Sequence, residues 1–123
     1  MAGEKRNGAI AADFGDGTYT FRLALGELEE LQEKTDCGPF VVMQRLASNE
    51  WRTADVRETL RLGLIGGGTP AADALKLVRR YVDDRPDWLK NALIARVVVQ
   101  SALIGAPEEA PGKEPAPEAE TED

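Results

Sequence analysis

The segment from Tyr19 to Thr35 places the pattern of a β-strand directly before the pattern of an α-helix. The alternating apolar residues are Tyr19, Phe21 and Leu23, and the helically spaced ones are Leu25, Leu28 and Leu31. A period of two is typical of a strand with one buried face, and spacings of three and four are typical of a helix stripe. Both apolar faces must turn toward one core, so the chain is constrained to an α+β fold.

The residues before this segment predict a β-hairpin. Gly8 to Phe14 shows the same alternation, and Gly15-Asp16-Gly17 offers the backbone conformations that a tight turn needs. An isolated two-stranded hairpin is marginally stable in water, so its apolar face is expected to lie on helices. The residues expected in the core are Phe14, Tyr19, Phe21 and Leu23.

About five helices are predicted to pack on this hairpin. Their ranges are Gly26 to about Cys37, Pro39 to Ala47, Thr53 to Gly66, Pro70 to Val82 and about Asp87 to Ile104. Glycine and proline at the helix ends, with Thr53 and Thr69 as N-caps, set these limits. In the third helix Val56, Leu60 and Leu64 form a core stripe, whereas Arg57, Glu58 and Arg61 are expected to point to water.

Composition divides the chain into a single folded domain and two polar ends. With 123 residues, 42% of them hydrophobic, the chain can fill one core. Residues 1–7 are predicted to be a flexible N-terminus, residues 8–105 an α+β domain, and residues 106–123 a disordered Pro/Glu-rich tail. Seven acidic residues against Lys113 give that tail a charge of −6, which leaves −1 of the total −7 for the rest of the chain.

The same composition argues against several functional classes. A body without positive excess lacks the electrostatic footprint of a nucleic-acid-binding protein. The absence of histidine and the single Cys37 argue against Cys/His zinc sites and imidazole-dependent catalysis, so no catalytic, metal or cofactor-binding residue is predicted. No signal peptide is recognisable, and polar residues interrupt the longest apolar segment, Trp88 to Ile104. We therefore expect a soluble, cytoplasmic protein that does not act at a membrane.

Three residue groups that resemble functional sites have simpler interpretations. The glycines at 66–68 lack the lysine of a phosphate-binding loop and indicate either a sharp reversal or a hinge. Asp83, Asp84 and Asp87 have arginines beside them and favour surface ion pairs. Cys37 has no histidine to activate it, so it is interpreted as an unreactive thiol in a turn.

The fifth helix carries more apolar residues than one buried side requires. Trp88, Ala92, Ala95, Val99 and Ala102 share one face, whereas Leu93, Ile94, Val97 and Val98 lie away from it. One interpretation is a central helix that its own domain surrounds. The other is an apolar surface that contacts another chain. The second interpretation makes Leu93, Ile94, Val97 and Val98 the candidate partner-binding residues.

The order of these features resembles the phage tail assembly chaperone family, in the branch found with gene transfer agents and siphophage-like tails. The resemblance rests on the strand and helix from Tyr19 to Leu31, the short helix from Phe40 to Leu46, and the Asp55 to Gly68 helix with its glycine stop. It implies a non-catalytic protein, present in the host cytoplasm during particle assembly, that binds the tape measure protein and helps recruit tail tube protein. Self-association is left open.

Two alternatives to a chaperone come from other functional classes. One is a structural tail component that stays in the particle, which the high helix content and the few strands disfavour. The other is a small regulator that uses the third and fourth helices as a helix-turn-helix, which the nearly neutral body and the glycines at 66–68 disfavour. The sequence thus predicts an assembly chaperone first and a structural subunit second.

Overall fold

The computed structural model describes residues 7–106, in which a β-hairpin packs against five α-helices. The strands are β1 (Ile10–Phe14) and β2 (Gly17–Phe21), and the helices are α1 (Leu25–Thr35), α2 (Pro39–Ser48), α3 (Thr53–Gly66), α4 (Ala71–Val78) and α5 (Trp88–Ile104). This confirms the predicted α+β class. The predicted flexible N-terminus and acidic tail, apart from Asn7 and Ala106, lie outside the described residues.

The hairpin pairs in the register that its two-residue loop imposes. Phe14 pairs with Gly17 next to the loop, and Ile10 pairs with Phe21 at the far end. Gly15 has a φ of 60°, as the first central residue of a type II′ hairpin turn requires. Phe14 makes edge-to-face contacts with Tyr19, Phe21 and Tyr81. The expected core positions are confirmed for Phe14, Phe21 and Leu23, which are buried, while Tyr19 is half-buried.

Helix α3 is the centre of the fold, because it packs against α1, α4, α5 and β2. The predicted stripe of Val56, Leu60 and Leu64 is fully buried, and Leu62 and Thr59 are buried as well. Residues from successive turns of α3 are therefore enclosed on more than one side. The hydrophobic core therefore lies around α3, and the hairpin packs at the C-terminal end of α3.

The end of α3 lies directly against the backbone of β2. The Arg22 amide donates a hydrogen bond of 2.9 Å to the Gly63 carbonyl oxygen. A β-carbon at Gly66 would overlap the Arg22 carbonyl oxygen, and one at Gly67 would overlap the Thr20 carbonyl oxygen. The first two of the three glycines are therefore needed because two backbones approach closely. They mark packing between a helix and a strand.

Buried and half-buried ion pairs join the helices around α3. Glu58 is buried, and its carboxylate accepts hydrogen bonds from Arg57 (2.8 Å) and Arg61 (2.7 Å), while Arg61 also donates to Glu30 of α1. Arg57 pairs with Asp83 at 2.9 Å. The expectation that Arg57, Glu58 and Arg61 point to water was wrong, since a buried carboxylate with two arginine partners has its charge compensated inside the protein.

A second ion pair ties α2 to the beginning of α3. Arg45 donates two hydrogen bonds, of 2.8 and 2.7 Å, to the fully buried Asp55, and these bonds raise the pKa of Arg45. Asp55 also accepts a hydrogen bond from the Arg52 amide and so caps the N-terminus of α3. One carboxylate thus fixes both the start of α3 and the position of α2.

The predicted fourth helix changes its geometry before it ends. The α-helical hydrogen bonding stops at Val78, and Arg79–Asp83 forms a π-helical turn in which the Asp84 amide donates to the Arg79 carbonyl oxygen. Val82 is buried within this turn. The Tyr81 carbonyl oxygen accepts a hydrogen bond of 2.9 Å from the Asn91 side chain of α5. The π-helical turn therefore positions the first turns of α5.

Candidate protein interaction surface

Helix α5 is buried on one side and exposed along the other. Ala92, Ala95 and Val99 are buried, in agreement with the predicted inner face. The exposed side carries Leu89 (71% exposed), Leu93 (61%), Val97 (38%) and Ile104 (72%), which we call the α5 stripe. At 100° per residue these four positions span an arc of about 80°. The domain therefore does not surround α5, and an apolar strip along its length faces solvent.

The four candidate residues on α5 have different environments. Leu93 and Val97 lie in the α5 stripe, and Ile94 is half-buried at its side. Val98 is only 1% exposed and belongs to the hydrophobic core. The structure brings Leu93 and Val97 together on one surface and assigns Val98 to the interior. Val98 therefore cannot serve as a contact residue in the folded chain.

Sequence reasoning missed Leu89 and Ile104 as members of this surface. Leu89, Leu93 and Val97 follow one another at intervals of four residues, and this spacing is the feature of the sequence that could have identified Leu89. The cations Lys90 and Arg96 flank the stripe, and Gln100 lies within it. An apolar centre with a polar border is the usual composition of a protein–protein interface.

A second exposed apolar site lies on α2. Phe40 is 57% exposed and Val41 is 39% exposed, whereas Val42 and Leu46 on the other side of the helix are buried. We call Phe40 and Val41 the α2 patch. Val41 also borders an open depression with Gln44 on the outer side of the helix. The described part of the chain therefore presents exposed apolar groups on α2 and α5, in addition to the single Leu25 on α1.

Two of the residues that could suggest catalysis, Asp83 and Cys37, have structural partners. Asp83 pairs with Arg57, and Cys37 is half-buried with its sulfur accepting a hydrogen bond of 3.1 Å from Arg45. Within residues 7–106, no group of three Asp, Glu or Cys side chains is placed to hold a metal ion. No helix in this described part of the chain is long and apolar enough to cross a membrane. The features that remain as candidates for a function are the exposed apolar surfaces on α5 and α2.

Comparison with known proteins identifies the class of assembly. A family model described as "Phage tail tube protein, GTA-gp10" matches residues 7–105. No curated protein and no solved structure matched the chain. The match extends over the hairpin and all five helices, so it covers the folded unit as a whole. It also places the chain among phage and gene transfer agent tail proteins, which the family resemblance had implied.

The family description overturns the predicted chaperone function. It names a tail tube protein, which is a structural component, and so favours the second prediction over the first. The small number of strands does not exclude a structural subunit, because the number of strands in one chain does not determine whether its exposed surfaces bind a partner briefly or permanently. The family match likewise gives no support to a helix-turn-helix regulator. The chain belongs to the phage tail tube protein family described as GTA-gp10.

Proposed function

We propose that this protein is a non-catalytic structural subunit of the tail of a phage or gene transfer agent particle, and that it self-associates in the tail tube. The observation that carries this proposal is the family match over residues 7–105. The surfaces described above support it, since the α5 stripe and the α2 patch are apolar groups that the monomer leaves exposed.

The α5 stripe supplies the most suitable contact surface for self-association. Leu89, Leu93 and Ile104 are each more than three-fifths exposed, so covering them removes most of each side chain from water. Burial of one such side chain stabilises a complex by roughly 1.5–3 kcal/mol before the costs of association. A regular helix also holds these side chains in fixed relative positions, which lowers the entropy lost on binding.

The symmetry of a tube determines which surface the stripe contacts. A two-fold interface uses the same patch on both copies and closes after a dimer, whereas a ring or filament requires two different patches. The α5 stripe and the α2 patch lie on different helices and are both apolar. We therefore propose that the α5 stripe of one copy packs against Phe40 and Val41 of the next copy.

Under this proposal, the other predicted partners are proteins that lie next to this subunit in the assembled tail. A tape measure protein and further tail proteins are proposed to contact the tube that these subunits form. The protein is proposed to be made in the host cytoplasm and then to remain in the particle.

Retention in the particle is the direct test of this function. Quantitative mass spectrometry of purified particles is expected to find this protein in copy numbers comparable with those of the other repeated tail proteins. A lysate from the same cells provides the reference for its abundance before purification. If the protein is abundant in the lysate but missing from intact particles, the structural role is rejected.

The contact surface can be tested separately in solution. Leu89→Asp and Leu93→Asp are expected to weaken self-association at least ten-fold, as measured by analytical ultracentrifugation, because each places a charge in an apolar contact. Leu25→Asp is the matched control, since Leu25 is as exposed as Leu89 (71%) but lies on α1. Equal weakening by all three substitutions, or a wild-type chain that stays monomeric at every concentration, would reject the α5 stripe as the interface.

A further inference from the structure

A cluster of cations lies where the π-helical turn joins α4 to α5. Lys76, Arg79, Arg80 and Arg85 border an open depression with a volume of about 550 Å³, and among the described residues that line it Asp84 is the one carboxylate. We call these four cations the basic cluster. The body of the chain is close to neutral, so this concentration of positive charge at one place is a local property of the surface.

The basic cluster is not neutralised by the rest of the folded domain. Within residues 7–106, none of its four cations forms an ion pair, whereas Arg45, Arg57 and Arg61 each pair with a carboxylate. Of the two acidic residues just before Arg85, Asp83 is already bound to Arg57, and Asp84 forms no ion pair within the described residues. The guanidinium carbon of Arg85 lies 4.9 Å from the centre of the Tyr81 ring, a contact that fixes the position of Arg85 without neutralising its charge.

We propose that the basic cluster binds the acidic C-terminal segment of the same chain, residues 114–123. This segment carries Glu114, Glu118, Glu120, Glu122 and Asp123 without a basic residue. Its charge is opposite in sign to that of the basic cluster, and it is covalently attached to the domain. Attachment raises its effective concentration near the cluster well above that of a free anionic peptide.

The number of residues between the end of α5 and each carboxylate determines whether that carboxylate can reach the basic cluster. The hydrogen bond from Asn91 to Tyr81 places the π-helical turn beside the first turns of α5. From Asn91 to the end of α5 at Ile104 the helix extends roughly 20 Å. Glu109 is five residues beyond Ile104 and reaches at most about 17 Å, whereas Glu118 is fourteen residues beyond it and reaches about 46 Å. The proximal acids Glu108 and Glu109 would therefore reach the basic cluster only from a fully extended chain, whereas the distal acids can reach it without full extension.

The experiment compares two matched pairs of substitutions by NMR. Glu118→Gln with Glu120→Gln removes two distal charges, and Glu108→Gln with Glu109→Gln removes two proximal charges. Amide and side-chain Nε resonances of Arg79, Arg80 and Arg85 are recorded in the full chain carrying Leu93→Asp, so that the result does not depend on self-association. The distal pair is expected to shift these resonances about three-fold more than the proximal pair, and raising the salt concentration should reproduce the distal shift.

A reciprocal measurement tests the other side of the contact. Arg79→Gln with Arg80→Gln is expected to shift the amide resonances of residues 118–123. Arg52→Gln, which changes an exposed arginine outside the cluster, is expected to leave them unchanged. Equal shifts from the distal and proximal pairs, or no shift from either, would overturn the proposal.

Two further outcomes identify a different occupant. Unlabelled wild-type chain can be added to isotopically labelled chain that carries the distal substitutions. Restoration of the original Arg79 and Arg80 resonances would show that the segment binds a second copy, and this would overturn binding within one chain. A short DNA duplex that binds equally well with and without the distal substitutions would show that the acidic segment does not occupy the cluster, and this too would overturn the proposal.

Discussion

Gly66 and Gly67 show how single residues allow the helices and the hairpin to share one core. A β-carbon at Gly67 would overlap a carbonyl oxygen of β2, and one at Gly66 would overlap the carbonyl oxygen of Arg22, which directly follows β2. Gly66→Ala is expected to lower the free energy of unfolding by about 2–3 kcal/mol, because helix and strand must separate to accept the methyl group. Urea denaturation measures this change.

The matched control for that substitution is Gly26→Ala in α1. No heavy atom lies within 4 Å of the position that its β-carbon would take. Replacing an exposed glycine by alanine within a helix is expected to stabilise the protein by up to about 1 kcal/mol. If both substitutions change stability by the same amount, the glycine at 66 is not required for close packing.

Asp55 combines a cap and an ion pair in one fully buried carboxylate. Asp55→Asn is expected to cost about 3 kcal/mol, because it removes the charge that compensates Arg45 and weakens the contact between α2 and α3. Glu33→Gln changes an exposed carboxylate and should alter stability by less than about 0.5 kcal/mol. Thermal unfolding of both variants distinguishes a local buried interaction from a general charge effect.

The hairpin contains a group that titrates at alkaline pH. The Tyr19 hydroxyl donates a hydrogen bond to Asp16, and this bond raises the pKa of Tyr19 above 10.0. Its contribution to stability is therefore complete below pH 10 and lost as the pH rises through the higher pKa of the folded state. Stability of the wild-type chain should fall above about pH 10 more steeply than that of Tyr19→Phe. Parallel curves for the two proteins would contradict this assignment.

The sequence could identify Asp55 as a first-turn acid but not its partner. Arg45 is ten residues away, and such a pair depends on the angle between two helices, which local spacing does not specify. The same limit explains why Glu58 was expected in water. Helical spacing correctly placed Glu58 on a different side of α3 from Val56. However, α1 and the π-helical turn cover that side of α3, and Arg61 and Arg57 pair with carboxylates of both.

At the scale of elements, α5 has two functions that substitutions can separate. Val98→Asp is expected to destabilise the fold by more than about 3 kcal/mol, because it buries an unpaired charge. Leu93→Asp should change unfolding by less than about 1 kcal/mol and act on self-association instead, since Leu93 is exposed. Circular dichroism with sedimentation measures both properties. Destabilisation of equal size would show that Leu93 also belongs to the core.

The elements themselves were largely predictable, because each has its own periodicity and end signals. Proline at 39 and glycine at 38 mark the start of α2, and the alternation around Gly15 marks the hairpin. The π-helical turn at Arg79–Asp83 was not predictable, because the additional residue in this turn has no signature in the local sequence. Val98 was misplaced for a related reason. Where nearly every position is apolar, helical spacing cannot show which side neighbouring elements will cover.

At the scale of the whole molecule, α3 provides the rigid support for the exposed surfaces. It packs against α5, α4 and β2, so the α5 stripe and the basic cluster are held by one core. The family resemblance indicated a phage or gene transfer agent tail protein but not its role in the tail. A composition without catalytic residues suits a structural subunit as well as a chaperone, and an exposed apolar helix can serve either. The family match was needed to distinguish them.

Tube formation predicts a particular combination of crosslinks between copies. Chains with Phe40→Cys mixed with chains carrying Leu93→Cys are expected to form disulfide-linked dimers, because the proposed interface brings the α2 patch of one copy to the α5 stripe of another. A single chain with both substitutions should give a ladder of oligomers on non-reducing gels, since each copy then has two reactive sites. Formation requires α-carbons within about 7 Å, so random collision contributes little.

The wild-type chain is the control, because Cys37 is half-buried and should give no ladder under the same conditions. The decisive comparison is between the mixed chains and Leu93→Cys alone. If Leu93→Cys alone forms dimers efficiently and the mixture forms no additional species, α5 packs on itself about a two-fold axis. Such an interface closes after two copies, and the α5 stripe could not then be the contact that extends a tube.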